Sequence, residues 1–207
     1  MYNIPYFKAN NYEDVIVFMQ ANPFVTLCGV DIDNKPIATH IPVMFDFRDD
    51  KMFLQGHIMR KQNHTTAFEN NYNVLAIFST TPAYVSASNY VVKNIGSTIN
   101  YQAVHANGII KFMGNNFLYD LLTKLTNKFE NNPNSPSLVH KMDEKYVSDN
   151  MKAIAGIEIE ITDIQHVFKL SQNRDEESRN NIIEYLQNKE DVNAKAVAKA
   201  MSMFFDK

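Results

Sequence analysis

Apolar and polar residues alternate along several short segments of this chain, as they do in strands that bury one face of a sheet. Four such segments are FVTLCGV (24–30), IATHIPVMFDF (37–47), MFLQGHI (52–58) and NVLAIFST (73–80). The turns between the first three are short and polar, which predicts an antiparallel meander. A second hairpin is predicted between NVLAIFST and the following strand, AYVSASNYVV (83–92).

Two longer segments also alternate and predict long strands. They are TINYQAVHANGIIKFMG (98–114) and IAGIEIEITDIQHVFKL (154–170). In the second of these, the alternation predicts that Glu158 and Glu160 are exposed on one face of the strand. Closely spaced strands joined by short turns favour an antiparallel barrel over alternating parallel units.

Other segments repeat apolar residues with helical spacing. The stripe between 117 and 129 predicts an amphipathic helix whose buried face consists of Phe117, Leu118, Leu121, Leu122, Leu125 and Phe129. Further helices are predicted near 10–22, 63–71, 138–153, 176–187 and 193–205. The chain is therefore predicted to be one α+β domain, residues 1–207, in which helical elements at about 115–152 and 175–206 cover an antiparallel β-barrel.

The composition of the chain also indicates where in the cell the protein is located. Of 207 residues, 45% are hydrophobic, which is enough for one large core. No apolar run approaches the length of a membrane span, and residues 1–14 lack the basic leader and apolar core of a signal peptide. The single cysteine, Cys28, lies in an apolar strand and excludes both an intramolecular disulfide and a cysteine-rich zinc site. The sequence predicts a cytoplasmic protein without a membrane segment.

The six histidines do not have the spacing of a metal site. There is no HExxH motif, and no two histidines lie four residues apart on a predicted helix. His57 and His64 flank Arg60, whose charge disfavours a nearby cation. Nor does the chain contain a GxSxG elbow, a GxxxxGK loop or a GxGxxG turn. The sequence therefore predicts no metal and identifies no catalytic residue.

Polar side chains concentrate instead at the ends of five predicted strands. They are Thr39 and His40; His57, Arg60 and Asn63; Tyr84, Ser86, Ser88 and Tyr90; Thr98, Asn100, Tyr101 and His105; and Lys169, Ser171, Gln172, Asn173 and Arg174. The second group has the spacing of one polar face on a turn that enters a helix, and the third alternates onto one side of a strand. Each group alone has an ordinary explanation, such as a solvated sheet face, a core histidine or a helix cap. Together, their hydroxyls, amides and cations favour a phosphate and a polar heterocycle bound along a barrel edge.

A series of short motifs resembles the PaiB family of FMN-binding negative transcriptional regulators. The motifs occur in order from Asn22 to Arg174 and are NPFVTL, ATHIPVMFD, GHIMRKQN, AYVSASNY, TINYQAVHANG and FKLSQNR. The resemblance implies an antiparallel FMN-binding split β-barrel, related to pyridoxamine-phosphate oxidases, with peripheral and C-terminal helices. It also implies a bacterial homodimer that holds flavin near the subunit interface and takes part in transcriptional regulation.

Under this resemblance, the polar groups at the strand ends are predicted to bind FMN. The phosphate is assigned to Arg60, assisted by Lys169 or Arg174 from the same or the other subunit, beside a helix N-terminus that favours anions. The residues predicted to contact the cofactor are Thr39, His40, His57, Arg60, Asn63, Tyr84, Ser86, Thr98, Asn100, Tyr101, Lys169, Ser171, Gln172 and Arg174.

Two departures from the family pattern concern the flavin. Asn89 and Ile99 stand where members of the family usually have tryptophan, and this chain contains no tryptophan. The family also often reads RANPQW where this chain reads RKQNHTT. If the missing indoles contact the isoalloxazine or seal the interface, their replacement predicts weaker retention of FMN.

Three functions stay open at this point. The first is a flavin-linked transcriptional regulator. The second is an FMN-dependent oxidoreductase on a small substrate, with His57, Tyr90 or His105 as candidate proton donors, and the third is a haem-handling split barrel. A formal net charge of −3 and four scattered arginines leave no basic stripe, so direct specific DNA binding is not expected.

Overall fold

The computed structural model describes residues 1–206, which form eight strands and six α-helices. The strands are β1 (Phe24–Val30), β2 (Pro36–Pro42), β3 (Met44–Arg48), β4 (Lys51–Met59), β5 (Asn73–Ser79), β6 (Ala83–Val85), β7 (Thr98–Met113) and β8 (Ile154–Lys169). The helices are α1 (Tyr12–Ala21), α2 (Asn63–Asn70), α3 (Asn115–Glu130), α4 (Glu144–Ala153), α5 (Glu176–Gln187) and α6 (Val192–Phe205). The predicted α+β class is confirmed.

Four of the helices begin where a short polar side chain caps the first turn. Asn11, Asp143, Asp175 and Asp191 each accept a hydrogen bond from a backbone N–H two or three residues later. Such a cap satisfies a donor that has no partner within the helix. These local signals explain why the helices lie where the sequence predicts them.

The strand order in the sheet is β2-β1-β5-β7-β8-β4-β3, and β6 pairs with β7. Both antiparallel pairings of the predicted meander are observed, since residues 24–30 pair with 36–42 and residues 44–48 pair with 51–55, but the predicted middle strand is divided in two. The segment 37–47 is two strands. Val43 still donates to the Pro23 carbonyl at 2.8 Å, opposite it in the β1–β2 register, but Pro23 has no N–H to donate in return, so the ladder with β1 ends there. β2 pairs with β1, whereas β3 pairs with β4 at the other end of the strand order.

The predicted long strand at 83–92 and its hairpin with β5 are also wrong. β6 ends at Val85, and a 3₁₀ turn follows over Ala87–Asn89, where the Ser86 hydroxyl accepts a hydrogen bond from the Ser88 N–H. A serine that can bond to its own backbone competes with the strand ladder, which explains the early end of β6. The alternation onto one face fails as well, since Tyr84 is 56% exposed and Tyr90 is 1% exposed.

Glu158 is buried, contrary to the prediction from alternation. The antiparallel register of β4 and β8 places it opposite Gln55, whose side-chain amide donates to its carboxylate at 3.0 Å. The Arg48 guanidinium donates to the same carboxylate at 2.5 Å and lies over the Phe53 ring. A buried carboxylate needs such partners, and sequence alternation cannot show that they are present.

The described chain divides into two compact units. The first unit comprises Met1–Asn22, Phe78–His105 and the residues from Gln165 onward. Its core includes α5, α6 and a contact between the Phe18 and Phe168 rings, whose centroids are 5.1 Å apart.

The second unit comprises Pro23–Ile77 and Ala106–Ile164. α3 contributes Leu118, Leu121 and Leu125 to its core, as the sequence predicts. Phe129, from the same predicted stripe, is 58% exposed in the last turn of α3, so its predicted burial is wrong. There the Lys128 side chain lies over its ring. No helix within residues 1–206 is long and apolar enough to cross a membrane.

Candidate functional site

The segment that follows β4 presents an exposed cation in the second unit. The Arg60 N–H donates to the Ala153 carbonyl at 2.8 Å, and Lys61 has a left-handed φ of 58°. This sharp turn ends the strand and leads into α2 at Asn63. The Arg60 side chain is exposed, and no hydrogen bond or ion pair involves its guanidinium within residues 1–206, which leaves it available to an anion.

The spacing of His57, Arg60 and Asn63 predicted one polar face on a turn that enters a helix, but His57 is not part of that turn. It belongs to β4, in the register that pairs it with Gly156. Its Nδ1 atom is buried and has no hydrogen-bond partner within residues 1–206. Burial lowers the pKa of the His57 imidazole below its ordinary value of 6.5, so the ring is neutral near pH 7.

His64, which the sequence did not select, is similar to His57. Its Nε2 atom is also buried without a partner in the described chain, and burial lowers the pKa of its imidazole. The Thr65 hydroxyl, which follows it in α2, donates to the Met59 carbonyl at 2.6 Å and holds this end of the helix against β4. A neutral imidazole with an unpaired nitrogen can donate to or accept from a ligand. No signal in the sequence separated His64 from a surface histidine.

Thr39 and His40 lie on β2, also in the second unit. Thr39 is half-buried and His40 is exposed, opposite Leu27 and Thr26 of β1 respectively. The His40 ring stacks on the exposed Phe24 ring, with centroids 6.2 Å apart. The second unit thus contains five of the predicted cofactor residues: Thr39, His40, His57, Arg60 and Asn63.

The other nine predicted residues lie in the first unit, where Asn100 and Ser171 form its most buried polar pair. Asn100 is completely buried and Ser171 is 2% exposed. The Asn100 amide donates to the Ser171 hydroxyl at 2.9 Å, and the Ser171 hydroxyl donates back to the Asn100 carbonyl oxygen at 3.1 Å. Both side chains thereby satisfy each other inside the protein.

The turn between β8 and α5 uses its remaining polar side chains locally. Gln172 accepts from the Leu170 N–H and donates to the Phe168 carbonyl. Ser171 has a left-handed φ of 65°, and its carbonyl accepts from the Arg174 N–H. These bonds fix the backbone of the turn without a ligand.

Two cations remain partly accessible beside this turn. Lys169 donates to the Thr98 hydroxyl at 2.6 Å, and burial, together with the charge of Arg174, lowers the pKa of its ammonium group. The Arg174 guanidinium lies 4.4 Å from the centroid of the Tyr90 ring. Tyr90 itself is 1% exposed, and its hydroxyl has no partner within residues 1–206. As a candidate proton donor, Tyr90 is therefore closed to solvent in this structure.

The last predicted residues of the first unit have different environments. Tyr101 packs on a small cluster formed by Phe7, Ala103 and Val167. Tyr84 projects from β6 and is exposed, whereas the Ser86 hydroxyl is engaged with Ser88.

The two positions without tryptophan also lie in the first unit. Asn89 donates to the Ser86 carbonyl at 3.1 Å, so its side chain stabilises the 3₁₀ turn. Ile99 is 46% exposed and pairs with Tyr84 across β6 and β7. An indole at either position would have presented a larger aromatic surface than the present side chain does.

The donors of the second unit fit a phosphate ester with a polar ring system, as in FMN. The Arg60 guanidinium has no carboxylate partner in the described chain, and it can bind two phosphate oxygens at once. His57 and His64 offer buried nitrogen atoms whose hydrogen-bonding capacity is unused within residues 1–206. Buried polar atoms normally have partners, so each of these two nitrogens is available to a bound group. No cluster of three or more potential metal-ligating residues occurs within residues 1–206.

The chain matches, over residues 1–163, the family described as "Putative FMN-binding domain". It is also 39% identical over 201 residues to the "Protease synthase and sporulation protein PAI 2" of Bacillus subtilis (strain 168). That alignment covers 97% of this chain and 96% of the relative. These matches confirm both the resemblance and FMN as the cofactor.

Two solved structures share the fold at low sequence identity. A conserved hypothetical protein from Mycobacterium tuberculosis has a TM-score of 0.56 at 10% identity, covering 84% of this chain and 92% of that one. The FAD and haem binding protein from Mycobacterium smegmatis has a TM-score of 0.56 at 15% identity, covering 78% of this chain and 72% of that one. The predicted fold class, an antiparallel split barrel with additional helices, is confirmed.

Because the family match spans residues 1–163 and the identity to PAI 2 extends along almost the whole chain, this protein belongs to the FMN-binding PaiB family.

Proposed function

We propose that this flavin-binding protein is a transcriptional regulator of the PaiB type whose effect depends on FMN rather than on direct reading of DNA. The observation that carries the flavin site is the free Arg60 guanidinium in the same unit as two buried imidazole nitrogens that have no partner within residues 1–206. The name of the Bacillus relative, which refers to protease synthesis and sporulation, supports a regulatory role. When bound, FMN supplies redox chemistry that the side chains of this protein cannot perform.

In this proposal, the residues of the second unit bind and orient the cofactor. Arg60 holds the phosphate, and the neutral imidazoles of His57 and His64 hydrogen-bond to polar atoms of the ligand. Their pKa values, lowered by burial, keep both rings uncharged near neutral pH. The other predicted contacts, including Lys169 and Arg174, stay predictions. Titrating FMN into a variant of each residue in turn would test them.

The cofactor assignment is tested by titrating FMN into the Arg60→Ala variant. A charge-assisted bond to phosphate contributes about 1.5–3 kcal/mol, so we expect affinity to fall roughly ten- to a hundredfold. Riboflavin, which has no phosphate, should bind both proteins equally. Lys35→Ala, which removes an exposed cation of the same unit, should leave the FMN curve unchanged. Superimposable FMN curves for wild type and Arg60→Ala would refute the assignment.

The second part of the proposal is that this protein does not recognise duplex DNA by sequence. A protein that neutralises several phosphates needs a basic surface, and its affinity falls steeply with salt. This chain has a formal net charge of −3, and one of its four arginines, Arg60, is proposed to hold FMN. The test is a mobility shift at about 150 mM salt with the upstream region of its own gene and a scrambled duplex. Submicromolar binding that prefers the native duplex would contradict this part.

We also propose that the protein is a homodimer. In the first unit, Tyr84 and Ile99 pair directly across β6 and β7 and are both largely exposed. Val91 and Val92, just beyond, are exposed as well. Several exposed apolar side chains on one unit are typical of an interaction site. Light scattering at micromolar concentration should give the mass of two chains, and the mass of one chain would argue against a dimer.

A further inference from the structure

The second unit contains a cleft that the predicted flavin contacts, apart from Arg60, do not use. Its volume is about 620 Å³, and its lining comes from α3, α4, the segment between these helices, and the turn after β4. Sites for small molecules usually have volumes of about 300–1,000 Å³. The cleft is therefore large enough to enclose a small ligand.

The walls of the cleft expose apolar side chains that the fold does not bury. α4 has no fully buried side chain along its length. Val147 and Met151, four residues apart on one face of α4, line the cleft together with Met142 and with Tyr119 of α3. Val147, Met142 and Met151 are half-buried, whereas Tyr119 is 42% exposed. A ligand that covered these side chains would remove apolar surface from water, which favours binding.

Two cations lie at one end of the same cleft. Lys152 lines it from the last turn of α4, and Arg60 lines it from the turn after β4. The bond from the Arg60 N–H to the Ala153 carbonyl ties these two segments together at 2.8 Å. Lys152 also pairs with Asp149 at 2.8 Å, but its side chain is 73% exposed, so this pair leaves donors free for a ligand.

The other end of the cleft has the opposite character. Glu144 lines it from the first turn of α4. It precedes Lys152 by eight positions, which corresponds to about 12 Å along the helix axis. Charge therefore changes sign along the cleft, with apolar side chains between the two ends.

We propose that this cleft binds a small amphipathic anion, with its carboxylate, sulfonate or phosphate at Lys152 and Arg60 and its apolar body against Met142, Val147 and Met151. Arg60 is also the proposed FMN anchor, so a substitution at Arg60 would affect both sites. Lys152 is the residue whose substitution distinguishes the cleft from the flavin site. The proposal does not require bound FMN.

The test uses 1-anilinonaphthalene-8-sulfonate, an aromatic sulfonate whose fluorescence rises when water leaves its surroundings. Titrated into the full-length protein without FMN, it should saturate at one probe per chain. Lys152→Gln should raise its Kd by roughly fivefold, as expected for the loss of one partly exposed charge interaction. Lys145→Gln is the matched control, because Lys145 pairs with the same Asp149 but does not line the cleft. The control should leave Kd unchanged.

Two further measurements separate the cleft from general adsorption of the dye. Met151→Asp places a negative charge, like that of the sulfonate probe, among the apolar side chains of the cleft. It should abolish the saturable signal. Val192→Asp, at a position 76% exposed at the start of α6, should not change it. The uncharged analogue N-phenyl-1-naphthylamine should be insensitive to Lys152→Gln. Circular dichroism of each variant establishes that it is folded.

The proposal is overturned if the probe shows no saturable binding. It is equally overturned if Lys152→Gln and Lys145→Gln give the same Kd, or if Val192→Asp removes as much signal as Met151→Asp. Parallel FMN titrations of the Lys152→Gln variant should match wild type. A failure of FMN to bind any of these proteins would contradict the proposed function but not the cleft.

Discussion

Asn100 and Ser171 lie 71 positions apart in the sequence and exchange two hydrogen bonds in the first unit. From the sequence, both belong to polar groups that suggest contact with a ligand. In the structure, their polar atoms are occupied by each other, and the Asn100 amide also approaches the Met201 sulfur at 3.4 Å. The pair thus links β7 to the turn after β8 and stabilises that turn without a ligand.

We predict that Asn100→Ala lowers the free energy of unfolding by about 1–3 kcal/mol, because the Ser171 hydroxyl loses its partner inside the protein. Asn173→Ala, at an exposed position of the same turn, should change it by less than about 0.5 kcal/mol. Urea denaturation followed by circular dichroism measures both variants. If the two variants unfold at the same urea concentration, Asn100 has no such stabilising role.

Among the strands, the approach of β7 to β8 depends on a missing side chain. A Cβ atom on Gly108 of β7 would lie 2.5 Å from the Glu160 carbonyl oxygen and 2.7 Å from the Ile159 Cγ2 atom. Such distances are too short for ordinary contacts, and one of the atoms belongs to the backbone of β8, which cannot move aside easily. Glycine is therefore required here by close packing rather than by its backbone angles.

We predict that Gly108→Ala destabilises the protein by about 1–3 kcal/mol, the usual effect of forcing extra atoms into a packed region. Gly96→Ala is the control, because a Cβ atom at Gly96 would have no neighbour within 4 Å. Thermal unfolding should show a lower Tm for Gly108→Ala alone. Equal Tm values for wild type and Gly108→Ala would mean that β7 and β8 can separate at no cost.

The burial of histidine side chains makes the stability of the whole molecule depend on pH. Burial is the largest cause that lowers the pKa values of His57, His64, His105 and His166 below the ordinary 6.5. As the pH falls below 6.5, the unfolded chain binds protons at these residues before the folded protein does. The contribution of these neutral histidines to folding stability is therefore fully present above pH 6.5. It is lost as the pH falls through their lowered pKa values in the folded protein.

We predict that the free energy of unfolding decreases between about pH 7.5 and about pH 5.5, and that His57→Gln makes the decrease smaller. His140→Gln, which replaces an exposed histidine, is the matched control. Urea denaturation at each pH gives the comparison. A pH profile for His57→Gln that runs parallel to that of wild type would show that His57 does not contribute.

Much of this protein is determined by the sequence alone, because the signals are local. Apolar periodicity places β7, β8 and α5 at their observed positions, and capping residues mark the starts of four helices. The ordered motifs from Asn22 to Arg174 identify the family, and with it the fold class and FMN. The sequence also selects Arg60, one of only four arginines, at the end of a predicted strand, and its contact with FMN stays a prediction.

Only the tertiary structure decides which distant residues meet. Strand partners depend on the register of the whole sheet, so the predicted β5–β6 hairpin is wrong and the predicted middle strand at 37–47 is two strands, although most strands are in place. Alternation predicted that Glu158 is exposed to solvent. The pairing of β4 with β8 instead brings the Gln55 side chain to its carboxylate, and both residues are buried. The cleft shared by Arg60, Tyr119 and Lys152 is likewise invisible in the sequence, because segments far apart along the chain build it. Periodicity reports which face of an element is apolar, whereas burial and pairing depend on what packs against that face.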